Sequence, residues 1–113
     1  MTAHQSDYSV LFERFDSPKL TLKNKLVMAP MTRSFSPGGV PTDEVAAYYR
    51  RRAEGGVGLI ITEGTVINHK ASNGYPNVPT FFGKDALEGW KKVVEEVHEA
   101  GGCLLYTSDA ADE

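Results

Sequence analysis

Two short segments carry residues that could handle a ligand: Met28-Ala29-Pro30-Met31-Thr32-Arg33 and Thr62-Glu63-Gly64-Thr65. The first follows the apolar run 26–29, which reads as a strand covered on both faces. Proline cannot donate to a sheet ladder, so Pro30 stops that strand and frees the chain beyond it. The exposed backbone and the Thr32 hydroxyl could then bond a flat, polar heterocycle. The second segment closes another buried strand, residues 57–62. There Gly64 lets a ligand approach the backbone with no side chain in the way. Alone, each is more simply read as local punctuation: a strand-ending turn in the first case, a bulge or bend in the second. Together they carry more. Ligands of parallel α/β folds bind at the carboxyl ends of the strands, and two neighbouring ends share one mouth.

The surrounding elements must bring those ends together. Residues 1–10 read as a loose tail, and Ser17-Pro18 breaks the chain after a short mixed stretch. Residues 19–23 alternate polar and apolar, as a half-buried strand does, and Asn24-Lys25 is a turn. Pro37, Gly38, Gly39 and Pro41 make residues 34–41 a loop. Thr42 then caps a helix whose first turn holds Asp43 and Glu44, where the helix dipole favours acids. Val45, Tyr48, Tyr49, Arg52 and Ala53 give it one buried face, with the Arg52 stem along that face and its head in water. Gly55-Gly56 ends it. After the loop 68–83 a second helix starts between Gly83 and Asp85. Leu87, Trp90, Val94 and Val97 follow at spacings of three and four, and Gly101-Gly102 stops it. Cys103 to Tyr106 can form a further strand. Buried strands alternating with amphipathic helices predict an α/β fold with a parallel sheet and right-handed crossovers.

Composition narrows the partners. The chain has 113 residues, one domain or part of one. Its net charge of −3 argues against a polyanion partner. The one basic run, Arg50-Arg51-Arg52, points in different directions around a helix and forms no stripe. The single cysteine, Cys103, cannot form an internal disulfide, so a reducing, cytoplasmic setting is expected. The first ten residues lack the apolar core of a signal peptide. The most apolar stretch, residues 57–61, is far too short to cross a bilayer, so no membrane partner is expected.

Other signals fall away on inspection. Gly55-Gly56-Val57-Gly58 follows a helix and opens a strand, the reverse of a phosphate-binding loop. His4, His69 and His98 show no metal-ligand spacing, and no metal site is expected. Glu95, Glu96 and Glu99 read as a solvated helix face. Cys103 has no base nearby in sequence. No residue of the chain is assigned a catalytic role.

The residues themselves say more than their spacing. Residues 20–33, Leu-Thr-Leu-Lys-Asn-Lys-Leu-Val-Met-Ala-Pro-Met-Thr-Arg, resemble the opening of the Old Yellow Enzyme family of FMN oxidoreductases. So do Gly38-Gly39-Val40-Pro41-Thr42, the helix carrying Tyr48-Tyr49, and residues 58–65. Gly74-Tyr75-Pro76-Asn77 and Gly89-Trp90-Lys91-Lys92-Val93, with His98 and Gly101-Gly102 after them, complete the likeness. It runs in order from about Leu11 to Gly102, nearest to the bacterial alkene and maleimide reductase-like branch.

The resemblance implies a (β/α)8 TIM barrel with FMN at its C-terminal mouth, of which this chain holds the first two to three βα units. It implies that NAD(P)H is the reductant and that a hydride passes by way of FMN to the β-carbon of a small, electron-poor alkene, a tyrosine supplying the proton. Carried over residue by residue, Ala29, Pro30 and Met31 lie against the flavin ring. Thr32 bonds near the flavin C4 carbonyl and faces substrate as well. The Gly64 backbone contacts the flavin, and Tyr75 lines the substrate pocket. Arg33 matches the motif without an assigned role. The implied layout is a flexible tail (1–10), the N-terminal part of an FMN-binding barrel (11–102) and an atypical tail (103–113). The family continues past Gly102 into a strand ending in a flavin-binding glutamine and then a Trp-His pair. Here the sequence turns small, polar and acidic, as foreign sequence at the edge of a truncated gene would. The family's His/Asn pair, proton-donor tyrosine and phosphate loops are expected beyond Gly102. The alternative is therefore a non-catalytic truncated barrel with at most weak flavin binding. A dihydroorotate dehydrogenase-like barrel is argued against by the paired Pro30-Met31-Thr32 and Glu63-Gly64-Thr65.

Overall fold

Ser17 closes the first turn of the chain. Its N–H donates to the Leu20 carbonyl at 2.9 Å, and its hydroxyl accepts from the Leu20 N–H at 3.0 Å. That turn joins β1 (Phe15–Asp16) to β2 (Thr21–Leu22) as an antiparallel hairpin. The structure is a computed structural model and describes residues 7–108. The strand expected over residues 19–23 shrinks to two residues, because the turn bonds occupy Leu20. Only Leu22 of its apolar positions is buried. Of the expected N-terminal tail, residues 1–6 lie outside the described residues, and Ser9–Phe12 forms a single 3₁₀ turn.

Asn24 fastens the start of the main sheet. It is buried, its amide donates to the Gly56 carbonyl at 2.6 Å, and its side-chain oxygen accepts from the Leu26 N–H at 3.0 Å. A Cβ at Gly58 would collide with that same oxygen, so the close approach requires glycine. The strand that follows, β3 (Val27–Met28), pairs in parallel with the next strand of the chain. It is not covered on both faces as expected: Val27 is 51% exposed. The physical reason is strand alternation: Met28 packs against the helix-side core, and the Val27 side chain, on the opposite face, is left uncovered among the described residues.

Helix α1 (Asp43–Glu54) begins where its cap demands, the Thr42 side chain accepting from the Val45 N–H at 3.4 Å. Its buried face is Val45, Ala46, Tyr49 and Ala53, while Tyr48 and Arg52 are half-buried. Strand β4 (Leu59–Thr65) starts later than the sequence suggests, because the Gly58 N–H turns back to the Leu26 carbonyl. It also runs on through Glu63-Gly64-Thr65.

Helix α2 (Lys84–Glu99) buries Ala86, Trp90, Val93 and Val97. Two of the expected core positions are therefore corrected: Leu87 is 46% exposed and Val94 only half-buried. Strand β5 (Cys103–Ser108) follows, two residues longer than the expected run 103–106. The rest of the expected atypical tail, residues 109–113, lies outside the described residues.

Strands β3, β4 and β5 form one parallel sheet in that order. Its core joins Val45, Ala46, Tyr49 and Ala53 of α1 to Ile60 of β4 and to Trp90, Val93 and Val97 of α2. Each large apolar side chain fully buried here contributes about 1.5–3 kcal/mol. The sheet is an open arc with both strand–helix units on it, and their carboxyl ends point to one rim.

Candidate functional site

The rim is built by the chain leaving β3 and the last residues of β4. Ala29, Pro30, Met31 and Thr32 are all exposed there, Met31 by 50%. Among the described residues the Thr32 hydroxyl makes no hydrogen bond. Arg33 turns inward from this strip. Its guanidinium carbon lies 3.4 Å from the Tyr48 ring centroid and 5.0 Å from that of Phe35. The Arg52 guanidinium, 3.6 Å away, stacks on the same Tyr48 ring.

Beside it, a break in the ladder changes which residues of β4 point inward. Ile61 pairs with Leu105 but Gly64 with Thr107, so one extra residue bulges out of register. As a result two consecutive residues, Thr62 and Glu63, are both buried, at 0% and 1% exposure. Thr62 faces β5, its hydroxyl accepting from the Thr107 N–H at 3.3 Å and its carbonyl from the Thr107 hydroxyl at 2.8 Å. Glu63 faces α1. The Tyr49 hydroxyl donates to its carboxylate at 2.7 Å, and the Glu63 backbone N–H donates to the same hydroxyl at 3.0 Å.

Burial raises the Glu63 pKa above the ordinary carboxylate value. The Tyr49 hydrogen bond, the Arg33 charge and the Arg33 backbone N–H oppose that rise without cancelling it. Burial also pushes the Tyr49 hydroxyl up, so it stays a donor. The two segments singled out in the sequence are neighbours because β3 pairs in parallel with β4, Val27 opposite Leu59 and Met28 opposite Ile60.

Gly64 and Tyr75 come together as well. Both line a cavity of about 130 Å³ with Thr65, Val66, Ser72 and Val78. Met31 and Thr32 do not line it. The cavity is well below the roughly 300–1,000 Å³ of a typical cofactor or ligand pocket, so one wall of a site is built here, not an enclosure. Tyr75 is 61% exposed on its loop. That loop is closed at its base by a Val66–Thr80 bridge, with the Phe81 N–H on the Val66 carbonyl at 2.8 Å.

The wall fits one face of a flat, polar ring: an exposed strip with a free hydroxyl, next to a glycine in a buried strand. The sequence reading missed Glu63 and Tyr49 as a bonded pair and Arg33 as the cation stacked on Tyr48. One signal was available: an acidic residue directly after the buried run Leu59-Ile60-Ile61-Thr62 needs a partner, because an unpaired buried charge is costly. Among the described residues no group of three or more His, Cys, Asp or Glu is placed to hold a metal ion. No helix among them is long and apolar enough to cross a membrane.

Comparison with known proteins gives a consistent picture. The sequence profile of the NADH:flavin oxidoreductase / NADH oxidase family matches residues 10–106. The 12-oxophytodienoate reductase 7 of Oryza sativa subsp. japonica is 44% identical over 95 residues, which are 84% of this chain and 24% of that protein. Among solved structures, morphinone reductase in complex with tetrahydroNAD superposes with a TM-score of 0.78 at 38% identity, over 85% of this chain and 26% of that one. Old Yellow Enzyme from Pichia sp. AKU4542 gives 0.78 at 39%, over 86% and 25%. The chain therefore spans about a quarter of the length of the relatives it matches. The open parallel sheet is an arc of the barrel those structures close.

Proposed function

The chain belongs to the NADH:flavin oxidoreductase / NADH oxidase family, and from that premise we propose that it supplies the first strands of an FMN-dependent reductase. The activity proposed for the complete barrel is NAD(P)H-driven reduction of the activated C=C bond of small, electron-poor alkenes. The observation that carries the reading is the parallel pairing of β3 with β4, which sets the exposed strip 29–32 beside the end of the strand that holds Gly64. When bound, FMN would supply the hydride relay between nicotinamide and alkene. Ala29, Pro30 and Met31 back the ring, the free Thr32 hydroxyl bonds its polar edge, and the bulged backbone at Gly64 lies against it. Tyr75, exposed beside Gly64, lines the substrate side. The single cysteine supports a reducing, cytoplasmic setting. On its own the 113-residue chain is proposed to lack turnover, since it presents one wall of the site.

The deciding experiment is to re-sequence the coding DNA from the codon for Gly102 through that for Glu113 and onward, and to express what it encodes. A frame that continues through a strand ending in Gln and a Trp-His pair, giving a yellow protein that oxidises NAD(P)H with an enone or maleimide, supports the reading. A colourless product that takes up no added FMN overturns it. A stop codon directly after Glu113 leaves the non-catalytic barrel piece as the correct description.

A further inference from the structure

We propose that Gly39 and Thr80 are positioning residues for Tyr75: their contact docks the loop that carries it onto the chain leaving the flavin strip, and so sets the width of the substrate mouth. The proposal rests on the flavin reading above and deepens it. Its starting point is how little else holds that loop. Its first turn bonds only to itself, the Ser72 hydroxyl lying 2.8 Å from both the Ile67 and the His69 carbonyls. Among the described residues, one hydrogen bond joins residues 67–78 to another part of the chain, from the Ser36 N–H to the Asn77 carbonyl at 2.9 Å.

Three residues further on, the Thr80 N–H donates to the Gly39 carbonyl at 2.8 Å, and the Thr80 hydroxyl lies 3.3 Å from the same oxygen. The two segments therefore run side by side in one direction, Ser36 beside Asn77 and Gly39 beside Thr80. Both bend sharply to do so. Ser34 and Asn77 sit at φ of 58° and 56°, a conformation that residues with side chains rarely adopt and that persists where the surroundings fix it. Gly39 is buried at φ 78°, and a Cβ there would meet the Thr80 Cγ2 at 2.8 Å. The segment holding Gly39 continues directly from the strip 29–32. Tyr75 stands two residues before Asn77, with the stiff Pro76 between them. A displacement at the Gly39–Thr80 contact therefore moves the Tyr75 ring relative to the strip.

Substitutions in the complete, FMN-loaded protein test this. Gly39→Ala forces Thr80 away. Gly38→Ala carries the same kind of left-handed strain, at φ 65°, with nothing within 4 Å of its Cβ. Gly39→Ala should raise the KM for a maleimide by at least about tenfold, roughly 1.4 kcal/mol of binding, with kcat and FMN affinity within about threefold of wild type. Gly38→Ala should stay within about threefold in all three quantities. Adding Thr80→Ser to Gly39→Ala deletes the clashing methyl and keeps the hydroxyl, so the KM should return to within about threefold of the Gly38→Ala value. A KM that follows one methyl group at constant kcat is a result that a merely structural role would not give. If Gly39→Ala does not hold FMN, Thr80→Ala decides: losing the hydroxyl at the Gly39 carbonyl should raise the KM by at least about threefold, and an unchanged KM overturns the inference. Equal KM values in Gly38→Ala and Gly39→Ala, or no recovery in the double variant, also overturn it and leave the flavin reading standing. Failure of the wild-type protein itself to bind FMN overturns both.

Discussion

The Tyr49 hydroxyl bridges two atoms of Glu63: it donates to a carboxylate oxygen at 2.7 Å and accepts from the backbone N–H at 3.0 Å. One side chain on α1 thus holds both the side chain and the main chain of β4 at the bulge. Tyr49→Phe keeps the buried ring and removes both bonds. A buried polar group left without its partner costs about 1–3 kcal/mol, more for a charged one. The variant of the complete protein should therefore lose about that much in a urea titration with an unchanged slope. Wild-type stability would mean that Glu63 finds other partners once the hydroxyl is gone.

Glu63 also predicts how stability depends on pH. Burial raises its folded-state pKa above the ordinary 4.5. The folded protein therefore binds this proton more tightly than the unfolded chain does. Its contribution is fully favourable below about 4.5 and is lost as pH rises through the folded value. Glu63→Gln carries no such proton. The stability difference between wild type and Glu63→Gln should fall as pH rises above 4.5 and then level off. A difference that is flat across that range, or that grows with pH, would contradict a raised pKa.

These relationships were only partly open to reading from the sequence. The helices were, because Thr42 with Asp43 and Glu44 is a local cap and Gly55-Gly56 a local stop. The buried face of α2 was not fully so. Ala86-Trp90-Val93-Val97 and Leu87-Trp90-Val94-Val97 share two residues and both run at helical spacings of three and four, and only the placement of α1 and the sheet decides between them. Leu87 is the stronger hydrophobe, yet small Ala86 is the one that packs. Both strand ends at the rim were legible, since Pro30 and Gly64 act through the local backbone. The tie between Tyr49 and Glu63 was not. It depends on a register slip between β4 and β5, residues some forty apart in sequence, and strict alternation along β4 would have put Thr62 and Glu63 on opposite faces.

Thr32 tests the strip directly. Its hydroxyl is exposed and unbonded among the described residues, so Thr32→Val should leave folding untouched. If the hydroxyl bonds the flavin, the loss is one net hydrogen bond, about 0.5–1.5 kcal/mol. For a two-electron couple about 1.4 kcal/mol corresponds to roughly 30 mV, so the potential should move by tens of millivolts at most with FMN retained. An anaerobic redox titration reads this. Unchanged potential and unchanged reduction kinetics would place Thr32 away from the ring.

Trp90 links the core to the loop that carries Tyr75. Its ring is 1% exposed and meets Tyr106 edge-on at 5.1 Å, while its indole N–H donates to the Thr80 carbonyl at 3.0 Å. Thr80 is also the residue that bridges Val66 at the base of the loop. Two substitutions separate packing from anchoring. Trp90→Ala opens a large cavity and should cost about 3–5 kcal/mol. Trp90→Phe keeps most of the packing but drops the N–H, so its stability cost should be smaller. Its effect should instead show in the loop: hydrogen exchange at the Phe81 N–H, which bonds the Val66 carbonyl at 2.8 Å, should speed up more than exchange in α1. Equal protection of Phe81 in wild type and Trp90→Phe would show that the Val66–Thr80 bridge holds the loop without help from the indole.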